Sequence, residues 1–295
     1  MFGAGASDHA ALASFQSFVG PAAPANDSSV EVDQGWVKVS FGGQGLKIED
    51  WHGFWPRHKE LKPVIMAAHK RLPRICQGSF MVYTGDRPPA DAPGAAYYSS
   101  SVTLQNAQAR GFPDYHFGDG LEGSIAAMRH AAAAPPSDLR VFWKGSVHAG
   151  TLRESLVQLA AAESALFDVH PMNWSAPDPG FIPLEAHCKY AALIDIEGNR
   201  YGYSGRIKEL LHCGRPMLLQ DRRHWDWPLH LLQPWAHDVP VADDLSDLVA
   251  KVRWLRGNPA VAARVGAAGA AFAAKLCTRR AAEDRILELM MRECS

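Results

Sequence analysis

The chain has 295 residues, of which 47% are hydrophobic and 21% are charged, and its formal net charge at neutral pH is −1. These values are ordinary for a well-cored globular protein of one large or two medium domains. A nearly neutral chain without a basic stripe is a poor candidate for binding nucleic acid. Because no apolar run is long enough to span a bilayer, we expect no transmembrane segment, although peripheral membrane contact stays open.

The N-terminal third predicts a hairpin, a helix and one strand. Residues 20–30 read as a flexible lead-in, and apolar and polar residues then alternate on either side of Gly42 and Gly43, as they do in a hairpin. A helix is predicted over residues 58–72 and a strand over 79–83. The stretch from 84 to 124 is rich in Pro, Gly, Ser and Asp, and a long irregular stretch of this kind often carries function.

The five cysteines predict the cellular compartment. They are odd in number and widely scattered, and no pair has the spacing of a metal site or a redox motif. The first 18 residues lack the basic start and apolar run of a signal peptide. We therefore expect free thiols and a cytoplasmic location.

From about residue 138, predicted strands and helices alternate, which favours a parallel sheet covered by helices. The strands are predicted over residues 139–143, 190–194 and 216–219, with helices over 152–163 and 205–213 between them. Two further helices are predicted at the end of the chain, over 259–276 and from 278 onward.

Two strand-to-helix turns of this region each carry an arginine in the first helical turn. With Thr151 and Ser204 as the capping residues, Arg153 and Arg206 are each the second residue of a helix. A cation is disfavoured there by the helix dipole, whereas a bound anion would pair with it. Both turns follow predicted parallel strands, where open α/β sheets bind ligands. The diphosphate of a nucleotide is one interpretation, and solvated arginines are the other.

Other motifs narrow the choice of ligand. The segment from Lys144 to Ser146 does not have the order of a phosphate-binding P-loop, and no G-x-G-x-x-G dinucleotide fingerprint follows an early strand. The acidic pair Asp195 and Glu197 superficially suggests a metal site, but a strand end that runs into a turn is the simpler interpretation. No metal is expected.

Several segments together resemble glycosyltransferase family 90. They are HCKYAALIDIEGNRYGYSGRIKELLHCG over residues 187–214, LLQPWAHDVPVADDLSDL over 231–248, VFWKGSVHAGTLR over 141–153, RLPRICQGSFMVYTGDRPP over 71–89 and PDYHFGDG over 113–120. The resemblance extends over roughly residues 70–275. It departs from the family pattern at Lys144, where an arginine is usual, and at Asp238, where an aromatic residue is usual.

The resemblance implies an α/β fold of the GT-B type, with two Rossmann-like lobes facing across a cleft and C-terminal helices. An acceptor-side lobe is expected over residues 1–125 and a UDP-sugar-binding lobe over 126–277. Residues 278–295 are expected to form a helix that crosses back to the first lobe. The implied reaction is an inverting, metal-independent transfer of a sugar, glucose or xylose above all, from a UDP-sugar to a hydroxyl of a glycan or lipopolysaccharide-type acceptor.

Within this resemblance, Asp86 falls on the catalytic aspartate of the family. The residues expected to bind the UDP-sugar are Lys144, Gly145, Ser146, Arg153, Asp168, Ser204 and Arg206. Rival bases or acceptor contacts are Asp114, His116 and Asp119, and Trp225 is a candidate wall of the sugar pocket. The absence of a retention signal favours the bacterial, cytoplasmic branch, with lipopolysaccharide or capsule as the product. A nucleotide-sugar-binding partner protein that has lost catalysis is the alternative.

Overall fold

The computed structural model describes residues 36–43, 45–51, 55–84, 97–103, 109–147, 151–172, 182–197, 204–221 and 224–295. The strands of these ranges are β1 Trp36–Gly42, β2 Gly45–Trp51, β3 Gly78–Tyr83, β4 Tyr97–Ser99, β5 Ser101–Thr103, β6 Ala109–Gly111, β7 Asp138–Ser146, β8 Phe167–Met172, β9 Tyr190–Asp195, β10 Met217–Gln220, β11 His224–Asp226 and β12 Val239–Val241. The α-helices are α1 Trp55–His69, α2 Leu121–Ala132, α3 Thr151–Ala162, α4 Ile207–Leu210, α5 Leu248–Gly257, α6 Pro259–Leu276 and α7 Arg279–Arg292.

The first lobe is built on a mixed sheet with the strand order β2-β1-β3-β4-β6. The predicted hairpin is confirmed, because β1 and β2 pair antiparallel around a turn in which Gly42 and Gly45 both have positive φ angles. A positive φ costs glycine little and other residues more, so the turn needs glycine at these points. Strands β3, β4 and β6 pair in parallel.

The second lobe is built on a fully parallel sheet with the strand order β12-β10-β9-β7-β8. Every residue of β10 is buried and nearly every residue of β9, which is what a sheet covered on both faces requires. One face packs on α3, α5 and the first half of α6. The other face packs on α4, the end of α2 and the last turns of α6. The predicted parallel sheet is therefore confirmed.

The last helix, α7, packs in the first lobe. Its residues Ala282, Ile286, Leu289 and Met290 are fully buried in the core that β1, β3 and α1 form. The tail behind it is tied to the same lobe, since the Tyr98 hydroxyl donates a 2.5 Å hydrogen bond to the Glu293 carboxylate. Two α/β lobes with a C-terminal helix returning to the first make up a GT-B-like architecture.

The cysteines contradict the expectation of free thiols. Two disulfides are formed, Cys76–Cys294 and Cys188–Cys213, and Cys277 is a buried free cysteine. The paired Cα atoms lie 5.2 and 5.1 Å apart, which is a normal disulfide separation. The sequence argument was wrong because pairs 218 and 25 residues apart have no local spacing pattern to detect. The cytoplasmic location loses this support and stays a prediction.

Within the part of the chain that the structure describes, no single helix is both long and apolar enough to cross a membrane. Helices α6 and α7 meet that length and composition only together, as a pair bent by 54° at the break between them.

Candidate functional site

The carboxyl ends of β7 and β9 meet at the point where the sheet changes its direction of growth. The chain runs from β7 to β8 on one side, and then returns to place β9 and β10 on the other side. Open α/β sheets bind ligands outside the strand ends at such a switch point. Lys144, Gly145 and Ser146 end β7 here, and Asp195 ends β9.

Gly145 is required by close packing at this edge. A Cβ atom at Gly145 would lie 2.6 Å from the ring of Trp143, which is itself buried. The neighbours Lys144 and Ser146 are buried as well, at 7% and 5% exposure. The end of β7, residues 144–146, is therefore tightly packed.

Arg153 is buried beside residues 144–146 and links the ends of β7 and β9. Its guanidinium donates hydrogen bonds of 2.8 Å to the Ser146 carbonyl and 2.8 Å to the Glu197 carbonyl, and a longer one of 3.4 Å to the Ile196 carbonyl. Its guanidinium carbon also lies 5.6 Å from the centre of the Trp143 ring. Arg153 therefore holds β7 to β9, and its predicted contact with a diphosphate stays a prediction.

Arg206 lies at the same edge but is more open, with 24% of its side chain exposed. Its Nε and Nη2 atoms both donate 3.0 Å hydrogen bonds to Oδ1 of the buried Asp195, and Nη1 donates to the Lys144 carbonyl. The guanidinium carbon lies 5.9 Å from the Trp143 ring centre, so Arg153 and Arg206 contact the same indole. Cation–π contacts of this kind help to fix guanidinium groups.

The helix that carries Arg206 is shorter than predicted. Ser204 does not cap it, because Arg206 occupies the capping position and α4 begins at Ile207. The Ser204 carbonyl accepts a 3.3 Å hydrogen bond from the Ile207 amide, which makes a tight turn ahead of the helix. One 3-10 turn follows α4, and Gly214 ends it with a φ of 63°, as its sequence position predicts.

The pKa of His187 depends on the positive charges at this edge of the sheet. Burial, followed by the positive charges of Arg206 and Lys144, lowers the pKa of His187 to about 3. The imidazole is therefore neutral at physiological pH. The positive charges of Arg206 and Lys144 thus act at this edge, and positive charge in such a place favours an anionic ligand.

Asp168 is not at the strand ends with the other predicted UDP-sugar contacts. It pairs with Phe142, two residues before Lys144 in the sheet register. Its carboxylate accepts hydrogen bonds of 3.0 Å from Arg140, 2.6 Å from the Tyr190 hydroxyl and 2.9 Å from His170. Burial, followed by the hydrogen bond to Asp168 and the negative charge of Asp168, raises the pKa of the Tyr190 hydroxyl.

The acceptor-side candidates separate into two groups. Asp114 and His116 face α4 of the second lobe and are bonded to each other, with 2.8 Å between Asp114 Oδ2 and His116 Nδ1. Asp119, by contrast, is exposed and accepts a 2.6 Å hydrogen bond from Arg279 at the start of α7. Trp225 pairs with Val102 and packs against the second-lobe core.

Asp86, the predicted catalytic aspartate, lies outside the described residues. Thr84, two residues earlier in the chain, is the last described residue of that segment. Its carbonyl accepts a 2.9 Å hydrogen bond from Arg57, whose guanidinium lies over the ring of Tyr115. The described chain therefore ends beside the turn that carries His116.

Among the described residues, no cluster of His, Cys, Asp or Glu has the geometry to hold a metal ion. Asp195 is occupied by Arg206, and the Glu197 amide donates a 2.8 Å hydrogen bond to the Gln220 side chain.

Sequence reasoning missed three buried partners of this site. Asp195 holds Arg206, Lys208 binds Asp114, and Trp143 lies against both arginines. Only Asp195 carried a usable signal, since an acidic residue at the end of a parallel strand lies at the ligand edge of a sheet. Contacts between residues 94 positions apart, such as Lys208 with Asp114, leave no local pattern.

Comparison with known families identifies the chain. The model of glycosyl transferase family 90 matches residues 126–292, which is more than half of the sequence. The chain belongs to glycosyl transferase family 90. The matched region spans the whole second sheet, the strand-end arginines and α7, whereas Asp86, Asp114 and His116 precede it.

Several curated proteins share parts of this family sequence. Protein O-glucosyltransferase 2 of Danio rerio is 30% identical over 141 residues, which cover 45% of this chain and 28% of that protein. Human protein O-glucosyltransferase 3 is 31% identical over 88 residues, covering 30% of this chain and 17% of its own length. The chain thus spans less than a third of the length of these relatives.

Solved structures with a similar shape include Anabaena Alr3699/HepE in complex with UDP. That match has 12% sequence identity and a TM-score of 0.38, and it covers 57% of this chain and 44% of the other.

Proposed function

We propose that this member of family 90 transfers a sugar from a UDP-sugar to a hydroxyl group of an acceptor. The donor would bind at the carboxyl edge of the parallel sheet, with its diphosphate at Arg206, Lys144 and the amides around Ser146. The transfer would invert the anomeric configuration and need no metal ion. The observation that carries the proposal is the concentration of positive side chains at the switch point between β7 and β9.

Positive charge at this edge has a direct use in such a reaction. The acceptor oxygen attacks the anomeric carbon, and the bond from that carbon to the diphosphate oxygen breaks. The electron pair of the broken bond passes to the departing UDP, where it needs stabilisation. Arg206 offers a planar fork of donors that matches phosphate oxygens, and Lys144 adds a second charge.

Arg206 is oriented for this role by two partners, Asp195 and the Lys144 carbonyl. A guanidinium has five N–H donors, so it can bind a phosphate and keep these partners. Holding an arginine in place before the ligand arrives reduces the entropy lost on binding. We assign Asp195 the role of a positioning residue for Arg206. We assign Arg153 the role of stabilising the ends of β7 and β9.

The acceptor proton requires a base, and Asp86 is our candidate on the family resemblance. The sugar we propose is glucose, because several relatives of the chain are named protein O-glucosyltransferases; xylose is the second choice. For the acceptor we propose a glycan or a lipid-linked saccharide of lipopolysaccharide or capsule type.

A titration of the purified chain tests this proposal. UDP-glucose, UDP-xylose and UDP are added in turn, with and without EDTA, while thermal stability and the slow release of UDP are followed. We expect stabilisation by UDP and by one UDP-sugar, unchanged by EDTA. If no uridine nucleotide stabilises the protein, the donor assignment fails; if EDTA abolishes an established activity, the metal-independent route fails.

A further inference from the structure

One face of α1 carries a row of exposed lysines. Lys59, Lys62, Met66 and Lys70 are exposed, and their spacing of three or four residues places them above one another on the helix. Lys70 continues the row past the end of α1, since its amide donates a 3.1 Å hydrogen bond to the Met66 carbonyl. The opposite face of the helix is buried in the first-lobe core. We call this row the α1 lysine face.

This part of the first lobe is strongly positive. Residues 57–75 contain six lysines and arginines and one acid, Glu60, whereas the whole chain has a formal net charge of −1. Glu60 contacts Gly118, and Arg71 is paired with Asp284 at 2.6 Å. Within the described part of the chain, none of the three lysines of the α1 lysine face pairs with a carboxylate. Their positive charge therefore faces solvent.

Exposed apolar side chains lie beyond the end of α1. Ile75, in the loop after the helix, is 89% exposed, and Met291, in the last turn of α7, is 55% exposed. The Cys76–Cys294 disulfide joins the two segments, and the Cys76 sulfur lies 4.0 Å from the carbonyl oxygen of Met290. Ile75 and Met291 are therefore held at the same end of the first lobe.

The combination of these side chains is more informative than any one of them. Single exposed apolar residues are normal on protein surfaces. Here, however, three of the five large hydrophobic residues that are exposed in the described ranges are Met66, Ile75 and Met291. An exposed arginine also adjoins each of the last two, because Arg74 precedes Ile75 and Arg292 follows Met291. Apolar tips flanked by cations are typical of proteins that lie on a membrane surface.

The shape of the surface favours a bilayer over other anionic partners. The row from Lys59 to Lys70 is about 16 Å long, which exceeds the contact that a single phosphate group can make. A nucleic acid would attract the cations but would offer no apolar environment to Ile75 and Met291. A bilayer with anionic lipids offers both, since it attracts lysine and arginine and accepts apolar side chains below its headgroups.

We propose that the α1 lysine face, together with Ile75 and Met291, docks the first lobe on a bilayer that contains anionic phospholipids. The cations contact the headgroup phosphates, and the two apolar side chains insert among the headgroups. Docking does not depend on the donor site, because none of these residues belongs to it. A lipid-linked acceptor would be concentrated at the same surface.

Sedimentation with vesicles tests this docking. The purified chain is mixed with vesicles of equal parts phosphatidylglycerol and phosphatidylcholine, or with vesicles of phosphatidylcholine alone. We expect binding to the anionic vesicles at about 0.1 M salt and release at about 1 M salt, where the Debye length falls to about 3 Å. If the chain does not bind the anionic vesicles, or binds both kinds equally, the proposal is wrong.

Neutralising the lysines should weaken binding without changing the fold. Each cation near an anionic surface strengthens binding about fivefold. The triple variant Lys59→Gln, Lys62→Gln and Lys70→Gln should therefore bind the anionic vesicles about 100-fold more weakly. Thermal unfolding followed by circular dichroism should match that of the wild type, because the three positions are exposed.

A matched variant separates this face from the net charge of the chain. Arg129→Gln, Arg256→Gln and Lys275→Gln together remove the same charge from exposed positions on α2, α5 and α6. This variant should bind the anionic vesicles as the wild type does. If both triple variants lose the same affinity, overall charge and not the α1 lysine face drives binding, and the proposal falls.

A second pair of variants tests the apolar contact at constant charge. Ile75→Gln should bind the anionic vesicles about tenfold more weakly, because an apolar side chain no longer leaves water. Leu139→Gln, at a position that is 65% exposed on β7, should have no effect. If Ile75→Gln binds as tightly as Leu139→Gln, Ile75 does not insert and the proposed docking is wrong.

Discussion

The two strand-to-helix turns of the second lobe each carry an arginine and use it differently. Arg153 is buried, and its guanidinium donates hydrogen bonds to three main-chain carbonyls at the strand ends. Arg206 is partly exposed and binds a carboxylate, Asp195, together with one carbonyl. A buried guanidinium that joins several main-chain carbonyls stabilises the fold, whereas a partly exposed one can also donate to a phosphate.

The largest expected effect tests the structural half of this comparison. Arg153→Ala should lower the free energy of unfolding by about 3 kcal/mol or more, because buried carbonyls lose a charged donor and each loss costs about 1 to 3 kcal/mol. Urea denaturation followed by circular dichroism measures it. If the variant had unchanged stability but bound UDP-glucose poorly, Arg153 would be a ligand contact and not a residue that stabilises the fold.

The second prediction concerns the disulfide near the turn that carries Arg206. The Cys188–Cys213 disulfide joins the 3-10 turn after α4 to the segment before β9. Replacing both cysteines by alanine should lower the free energy of unfolding by about 3 kcal/mol, the value for a closed loop of this size. Cys277→Ala, which removes the buried free cysteine, is the matched control and should cost about 1 kcal/mol. Equal losses in the two variants would contradict a role for the disulfide.

A smaller effect is expected at Lys144. Lys144→Gln should weaken UDP-glucose binding about fivefold, or about 1 kcal/mol, because one of the charges near the diphosphate is lost while the Lys144 carbonyl still accepts from Arg206. Calorimetry at constant ionic strength measures the change. A loss of affinity larger than that of replacing Arg206 would mean that the lysine, and not the arginine, is the main phosphate contact.

The smallest effect is electrostatic and is read at His187. The pKa of this histidine is lowered to about 3 by burial and then by Arg206 and Lys144. Because the unfolded chain binds the proton more readily, the contribution of His187 to stability is present above its unfolded pKa of about 6.5 and is lost as pH falls toward 3. In Arg206→Gln, nuclear magnetic resonance titration should show a higher pKa for His187. An unchanged value would place Arg206 too far away to matter.

The parts of this fold that repeat locally could be predicted from the sequence. The hairpin around Gly42, the alternation behind the parallel sheet and the helix Pro259–Leu276 all follow from periodicity and turn residues. Helix α4 was predicted too long, because the capping preference of Ser204 competed with a tight turn that the sequence does not reveal. Distant pairs were beyond reach, and the Cys76–Cys294 disulfide is the clearest of them.

The positions of some candidate site residues could also be predicted from the sequence. Lys144, Ser146 and Arg206 were assigned to one edge because strand ends of a parallel sheet converge. Asp168 was assigned there as well, but its position in the strand register places it further back, among Arg140, His170 and Tyr190. Register is decided by pairing between strands, which a single strand's sequence does not encode.

The central claim is that Arg206 binds the diphosphate of a UDP-sugar, while Arg153 stabilises the ends of β7 and β9. The direct measurement is a calorimetric titration of UDP-glucose into the wild type and Arg206→Lys. The lysine keeps the charge beside the buried Asp195 but loses the planar fork. We predict affinity about 10- to 100-fold weaker for Arg206→Lys, with a free energy of unfolding within about 1 kcal/mol of wild type. Equal affinity of the two proteins would contradict the account.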